Sequence, residues 1–178
     1  FSTDHKTIAK QFLITGIFWA LMGGIMSVIF RLQLGFPDMQ LEWLRPILGG
    51  WITDTGKIDP EFYLALVTMH GTIMVFFVLT AGLSGTFSNF LIPLQIGARD
   101  MASGFLNMLS YWFFFLSSGV MVASIFVEGG PASAGWTIYP PLSALPQAIP
   151  GSGLGMTLWL TSMALFIVGS LLGSLNYI

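Results

Sequence analysis

Apolar residues form four long stretches of this chain, and charged residues and turn formers separate the stretches. Crossing a bilayer core of about 30 Å takes roughly 20 helical residues, and each stretch is long enough to do so. Backbone amides in hydrocarbon must pair within their own segment, which favours helices over strands. The pattern therefore predicts an all-α integral membrane protein with four transmembrane helices, at residues 11–31, 62–93, 101–127 and 154–178.

The connections between these spans differ in composition. Residues 31–61 contain eight charged residues together with Pro37 and Pro46, so we predict an aqueous loop at 32–61. Residues 93–100 predict a tight turn. Residues 128–153 are rich in Gly, Pro and Ser and include aromatic residues, which is typical of an ordered loop at the membrane interface.

The composition agrees with a membrane protein. Hydrophobic residues make up 54% of the 178 residues and charged residues only 8%, whereas soluble domains carry about 25% charged residues. The net charge of −2 provides no basic surface for nucleic acid. Cysteine is absent, which excludes disulfides and thiolate metal sites. Because the chain starts without Met and stops inside an apolar run, we expect residues 1–178 to be a fragment of a longer protein.

The basic residues give an expected orientation. If Arg31 is buried at the end of its helix, it does not count toward its side of the membrane. The side that carries the N-terminus then has three basic residues and the opposite side has two, which predicts a cytoplasmic N-terminus. The basic residues counted are Lys6, Lys10 and Arg99 on one side and Arg31, Arg45 and Lys57 on the other.

One ionisable residue, His70, lies well inside the second apolar stretch. An ionisable group at such depth costs roughly 3 kcal/mol or more unless it has a partner, and imidazole is a common ligand of metals and of haem iron. Large apolar residues share its helix face and suit a flat hydrophobic cofactor; they are Tyr63, Leu66, Val67, Ile73, Met74 and Phe77. Two alternatives remain: a hydrogen bond to a neighbouring helix, and a proton relay in a transporter.

Further polar residues accompany the spans. Arg31 either snorkels to the interface or faces a polar substituent of a buried cofactor. Asp100 either pairs at the surface or collects protons at the mouth of a polar pathway. Asn89 and Asn107 favour the pathway because amides in apolar spans need partners such as water, and Ser110 continues the polar positions. His5, before the first span, is interpreted as a capping or interfacial residue.

Five sequence strings resemble subunit I of the haem-copper oxygen reductases, most closely bacterial cytochrome c oxidase. They are Ser-Thr-Asp-His-Lys at 2–6, Arg31, Thr-Met-His with Met-Val-Phe-Phe at 68–77, Asn-Phe-Leu-Ile-Pro-Leu-Gln-Ile-Gly-Ala-Arg-Asp-Met-Ala at 89–102, and Gly-Trp-Thr-Ile-Tyr-Pro-Pro-Leu at 135–142. The strings follow the order and spacing of that family over essentially the whole chain. The resemblance implies that residues 1–178 are the N-terminal portion of one transmembrane domain, in which the four helices begin a twelve-helix bundle.

The resemblance also implies roles for single residues. His70 matches an axial ligand of the low-spin haem, expected to be haem A, and Arg31 with Ser27 matches the residues near its formyl edge. Tyr63 is expected to line the same pocket. Trp136 and Tyr139 match a loop near the haem propionates. Asp100 matches the entrance of a proton pathway that Asn89, Asn107 and Ser110 line.

The implied activity is that of a terminal respiratory oxidase that reduces oxygen to water and pumps protons. Its implied partners are oxidase subunits II and III, with cytochrome c or a cytochrome c domain as donor, in the lipid bilayer of the bacterial inner (plasma) membrane and in a respiratory supercomplex. The second haem, the copper and the oxygen-reducing centre are expected beyond Ile178, so no catalytic residue is assigned here. A quinol oxidase, a nitric oxide reductase-like relative, a proton-coupled transporter and a structural membrane subunit are the alternatives.

The chain departs from the family pattern in two places. One departure concerns the kind of organism that the protein comes from, and the other concerns proton uptake. The long loop at 32–61 favours a bacterial protein. Arg99 stands where mitochondrial sequences have proline, beside Asp100.

Overall fold

The structure is a computed structural model that describes residues 1–145, 147–148 and 153–178. The described residues are helical apart from loops and an antiparallel bridge between Ile52 and Ile58. The helices are α1 His5–Gly35, α2 Arg45–Leu48, α3 Pro60–Thr72, α4 Gly85–Ile96, α5 Gly104–Ala123 and α6 Leu154–Leu175, with a π-helical segment at Ile73–Ser84. The predicted all-α membrane fold is confirmed, because four helices are long and apolar enough to cross a bilayer.

The helix ends follow from local chemistry. Helix α1 begins at His5 because Asp4 caps it: the Asp4 carboxylate accepts hydrogen bonds from the backbone N–H and the hydroxyl of Thr7, each at 2.8 Å. These bonds hold the pKa of Asp4 below its usual value, as expected for a carboxylate at a helix N-terminus. Helix α4 ends at Gly97, which adopts the left-handed conformation that glycine tolerates.

The second apolar stretch is one continuous helix of 37 residues, Pro60–Ile96. Its middle third, Ile73–Ser84, is π-helical, and the Thr80 hydroxyl accordingly donates to the carbonyl of Val75, five residues back, at 2.8 Å. Such wide turns are rare and are found mostly at functional sites. The π segment begins three residues after His70.

The chain divides into two compact units. The first unit comprises Phe1–Leu21, Ile73–Ala123 and Leu158–Ile178, and the second comprises Met22–Thr72 and Ser124–Thr157. Part of the predicted interfacial loop 128–153, namely residues 146 and 149–152, lies outside the described residues.

Aromatic rings and small residues hold the first unit together. The Phe77 ring is buried and lies 5.8 Å from Phe114 and 5.7 Å from Phe166 between ring centroids. Ser117 and Ser162 exchange hydrogen bonds, each hydroxyl donating to the other residue's carbonyl at 2.7 Å. Both hydroxyls are thereby satisfied inside an apolar interior, where an unpaired one would be costly.

The loop of the second unit covers the ends of its own helices. Apolar residues of this loop are buried, while its charged residues remain outside; the buried ones are Leu41, Leu44, Ile52 and Ile58. They pack with Phe30 and Phe62, and Trp51 stacks on Phe62 at 4.7 Å. On the outer side Arg45 donates to Glu42 at 2.6 Å, which lowers the pKa of Glu42. The charged loop is therefore an ordered cover.

We predict that Gly16→Ala destabilises the protein. A Cβ at Gly16 would lie 2.8 Å from the Cα of Gly82, so the helix backbones must separate, at a cost of about 1–3 kcal/mol. The melting temperature of the detergent-purified protein measures this cost.

The matched control is Gly24→Ala on the same helix, where a Cβ meets nothing within 4 Å. This substitution should leave the melting temperature unchanged or raise it, because alanine favours helix by about 1 kcal/mol over glycine. Equal melting temperatures for the two variants would contradict the close approach at Gly16.

Candidate functional site

The side chain of His70 has a fixed orientation in the second unit. Its Nδ1 lies 2.9 Å from the carbonyl oxygen of Gly23 on α1. A carbonyl only accepts hydrogen bonds, so Nδ1 carries the proton and Nε2 keeps its lone pair. His70 is half-buried. A metal-ligating histidine typically donates a hydrogen bond from one ring nitrogen to a backbone carbonyl and binds the metal through the other nitrogen.

Arg31 and Ser27 lie on the same face of α1 as Gly23. The three residues are spaced by four, and this spacing places them one above the other on a helix. The Arg31 Nε–H donates to the Ser27 hydroxyl at 3.0 Å, and its Cζ lies 5.9 Å from the Phe30 ring centroid. The helix face that holds the histidine thus also carries a positive charge.

Arg31 is exposed in this structure, not buried as the charge count required. Its long side chain follows the helix toward Ser27 and keeps its head in solvent. Each side of the chain therefore has three basic residues, and the count does not determine the orientation.

Phe30 joins the predicted pocket residues. Its ring meets the His70 ring edge-on at 5.5 Å and the Tyr63 ring at 6.0 Å. Tyr63 and His70 are seven residues apart, which is two helical turns, so they share one face of α3. The structure therefore brings together the predicted residues His70, Tyr63, Arg31 and Ser27, with Phe30 as the contact that sequence reasoning missed.

The loop after α5 is attached to α3 within one turn of His70. The N–H of Gly135 donates to the Thr68 hydroxyl at 2.9 Å. The Trp136 indole lies against Gly71, where a Cβ would come within 3.0 Å of Cδ1. The Tyr139 ring in turn lies against Gly135, which has a φ of +82°. Trp136 and Tyr139 are both exposed, so they extend the surface beside the histidine.

A second group of polar residues is buried in the first unit. Asn89, Asn107 and Ser110 are at most 2% exposed. Among the described residues, no hydrogen-bond partner contacts the Asn89 Oδ1 or the two polar side-chain atoms of Asn107. The Ser110 hydroxyl donates to the Asn107 carbonyl at 2.7 Å. Buried polar atoms without protein partners are sites that ordered water fills.

Asn176 belongs to the same buried group and was missed by the sequence analysis. Its Oδ1 accepts from the Ser103 N–H at 2.6 Å, while its Nδ2 has no partner. An amide at the end of an apolar run was the available signal, the same one that identified Asn89 and Asn107.

A cavity of about 80 Å³ lies next to Ser110. Hydroxyl groups line much of it; they belong to Thr80, Ser84, Ser110, Ser170, Ser174 and Tyr177. A water needs roughly 10–15 Å³ of such space and two to four polar partners, so the cavity has room for several waters.

Asp100 lies outside the buried group. It is exposed in the turn between α4 and α5, and its carboxylate accepts from the N–H of Met101 at 2.8 Å. In the described parts of the chain, no three His, Asp or Glu side chains gather as a metal site would require. The arrangement that these residues permit is a cofactor bound through one histidine, His70.

Comparison with known proteins identifies the family. The family model described as cytochrome c and quinol oxidase polypeptide I matches residues 7–178. The chain belongs to this family. Membership confirms the resemblance to haem-copper oxidases and leaves the transporter and structural-subunit alternatives without support.

Named relatives of the oxidase family cover the whole chain. The alternative cytochrome c oxidase subunit 1 of Bradyrhizobium diazoefficiens is 44% identical over 100% of the chain and 27% of its own length. Cytochrome c oxidase subunit 1 of Thermostichus vulcanus is 38% identical over 100% of the chain and 28% of its length. A haem-copper oxidase subunit I+III of Aeropyrum pernix is 36% identical over 99% of the chain and 19% of its own length. The chain thus spans little more than a quarter of subunit 1 relatives.

We predict that Thr68→Val detaches the loop that carries Trp136. The substitution keeps the side-chain shape but leaves the Gly135 N–H without its acceptor, at a cost of about 1–3 kcal/mol. Hydrogen–deuterium exchange of the peptide containing Gly135 should become faster.

Thr80→Val is the matched control, because the Thr80 hydroxyl bonds only to the carbonyl of Val75 in its own helix. Exchange at Gly135 should stay at the wild-type rate in this variant. Unchanged exchange in Thr68→Val as well would show that the bond does not hold the loop.

Proposed function

We propose that this chain is the first part of subunit I of a terminal respiratory oxidase, and that His70 is one axial ligand of a low-spin haem A. The observation that supports this most directly is the hydrogen bond from His70 Nδ1–H to the carbonyl of Gly23 at 2.9 Å. This bond occupies Nδ1, and we therefore assign Nε2 as the proposed ligand atom. A haem bound through His70 would supply one-electron transfer, with its other protein ligand provided by residues outside this chain.

The surrounding side chains fit such a group. Phe30 and Tyr63 provide an apolar aromatic wall beside the imidazole, with their rings edge-on to each other. The guanidinium of Arg31, with Ser27, supplies a positive charge at the edge of this wall, which favours the reduced form of a nearby redox group. Trp136 and Tyr139 close the neighbouring side through the loop attached at Thr68 and Gly71.

The buried polar group is the proposed proton pathway. Asp100, exposed to water, loads protons, and Asn89, Asn107 and Ser110 line the route inward. We add Asn176 and the hydroxyl-lined cavity, because their unpaired amide atoms and hydroxyls can hold the waters that proton transfer requires. None of these residues is catalytic in oxygen chemistry; they deliver protons.

The complete oxidase reduces oxygen to water and pumps protons, with a second haem and copper held by residues outside this chain. Cytochrome c, or a cytochrome c domain, is the proposed electron donor, since relatives with high identity are named cytochrome c oxidase subunits. A quinol donor is the alternative, because the family description includes quinol oxidases.

The chain is a multi-pass membrane protein of an oxidase family. We propose that it assembles with subunits II and III, supported by the relative in which subunits I and III are fused, and that the complex joins a respiratory supercomplex. The proposed location is the bacterial plasma membrane, with the N-terminus in the cytoplasm. That orientation places Asp100 on the side from which protons are taken up.

His70→Ala in the full-length complex should abolish the low-spin haem spectrum, because it removes the proposed iron ligand. The reduced-minus-oxidised optical spectrum of the purified complex measures this. His5→Ala is the matched control, as the chain has two histidines, and it should retain the spectrum. A low-spin spectrum that survives in His70→Ala would rule out the ligand assignment.

Asp100→Asn should slow oxygen consumption about tenfold or more and reduce pumping, since positioned proton-transfer groups contribute roughly 10²-fold or more. Both haems should remain in place. Asp54→Asn, an equally exposed aspartate in the charged loop, is the control and should behave as wild type. Wild-type proton uptake in Asp100→Asn would remove Asp100 from the pathway.

A further inference from the structure

Helix α4 contains a proline whose missing N–H has a specific consequence. Pro93 lies inside the helix, so it cannot donate to the carbonyl four residues back. That carbonyl belongs to Asn89, a residue of the proposed proton pathway that is only 1% exposed. A buried carbonyl without a donor costs free energy comparable to a lost hydrogen bond.

His5 supplies the missing donor. Its Nδ1 lies 2.8 Å from the carbonyl oxygen of Asn89, and because a carbonyl only accepts, Nδ1 carries the proton. His5 is 2% exposed and is separated from Asn89 by 84 residues in the chain. The sequence analysis interpreted His5 as a cap or an interfacial residue, but Asp4 provides the cap and His5 points into the protein.

The start of α1 holds His5 in this position. The Asp4 carboxylate binds Thr7, and the Asp4 carbonyl accepts from the N–H of Ile8 at 3.1 Å. Thr3 lies against the first residue of α5, Gly104, where a Cβ would come within 2.9 Å of the Thr3 carbonyl oxygen. The N-terminal segment is therefore packed against both helices that carry the proposed pathway.

We propose that His5 is a positioning residue for proton uptake: it replaces the donor that Pro93 lacks and thereby fixes the backbone at Asn89. The Asn89 side chain donates from Nδ2 to the Gly85 carbonyl at 2.7 Å and leaves Oδ1 unpaired. A fixed backbone keeps that oxygen directed at the water-holding region. This role rests on the proposed proton pathway.

The test uses the full-length oxidase complex and four variants. His5→Ala removes the donor. His5→Asn retains one, because the Nδ2 of asparagine is as many bonds from Cα as the Nδ1 of histidine. Pro93→Ala restores the helical N–H, and the double variant combines it with His5→Ala. Lys6→Ala, the exposed neighbour, is the control. The readouts are the rate of proton uptake and the haem spectrum.

We expect His5→Ala to slow proton uptake roughly three- to tenfold, the order that corresponds to the net contribution of one hydrogen bond. His5→Asn and the double variant should return to within about twofold of wild type, and the haem spectrum should be unchanged throughout. Rescue by Pro93→Ala is the decisive result, because a general structural role of His5 would not depend on the amide at position 93.

Three results would overturn the proposal. Slowed uptake in His5→Ala that Pro93→Ala does not restore would show that His5 acts through another contact. Unchanged uptake in His5→Ala, while Asp100→Asn is impaired, would remove His5 and leave the pathway intact. Unchanged uptake in both His5→Ala and Asp100→Asn would reject the pathway and the role of His5 with it.

Discussion

The hydrogen bond between His70 and Gly23 is the interaction on which the proposed haem site depends. It joins α1 to α3 within the second unit and determines which imidazole nitrogen is available to a metal. The same helix face carries Ser27 and Arg31, so one contact sets both the ligand and its charged surroundings.

The first unit is constrained in a different way. Asn89, Asn107 and Asn176 are buried with atoms that no protein group satisfies, and such atoms are costly in an apolar interior unless water reaches them. These atoms offer partners to water, which the proposed proton pathway requires. The helix defect at Pro93 and its donor His5 belong to the same region, so the polar lining and its support come from different helices.

Much of the architecture could be predicted from the sequence because lipid imposes long apolar helices. His70 was identified for a similar reason, as an ionisable residue isolated within such a stretch. Its acceptor, Gly23, could not be predicted, since a backbone carbonyl leaves no signal in the sequence and the contact depends on how two helices cross. The π-helical segment at Ile73–Ser84 likewise has no compositional signature.

Other features were accessible but were not found. Asn176 carries the same signal as Asn107, an amide in an apolar run. Asp4 and Thr7 formed a recognisable helix start, which places the beginning of α1 at His5. The charge count assumed a buried Arg31, but the residue is exposed and its side chain bonds to Ser27, one turn back on the same helix.

The central claim is that His70 presents Nε2 to a haem iron while Nδ1 remains bonded to Gly23. A cryo-electron-microscopy map of the intact complex in lipid tests it most directly. The account predicts haem density with its iron bonded to Nε2 of His70 and the Gly23 carbonyl still opposite Nδ1. Haem density away from His70, or iron on the Nδ1 side of the ring, would contradict it.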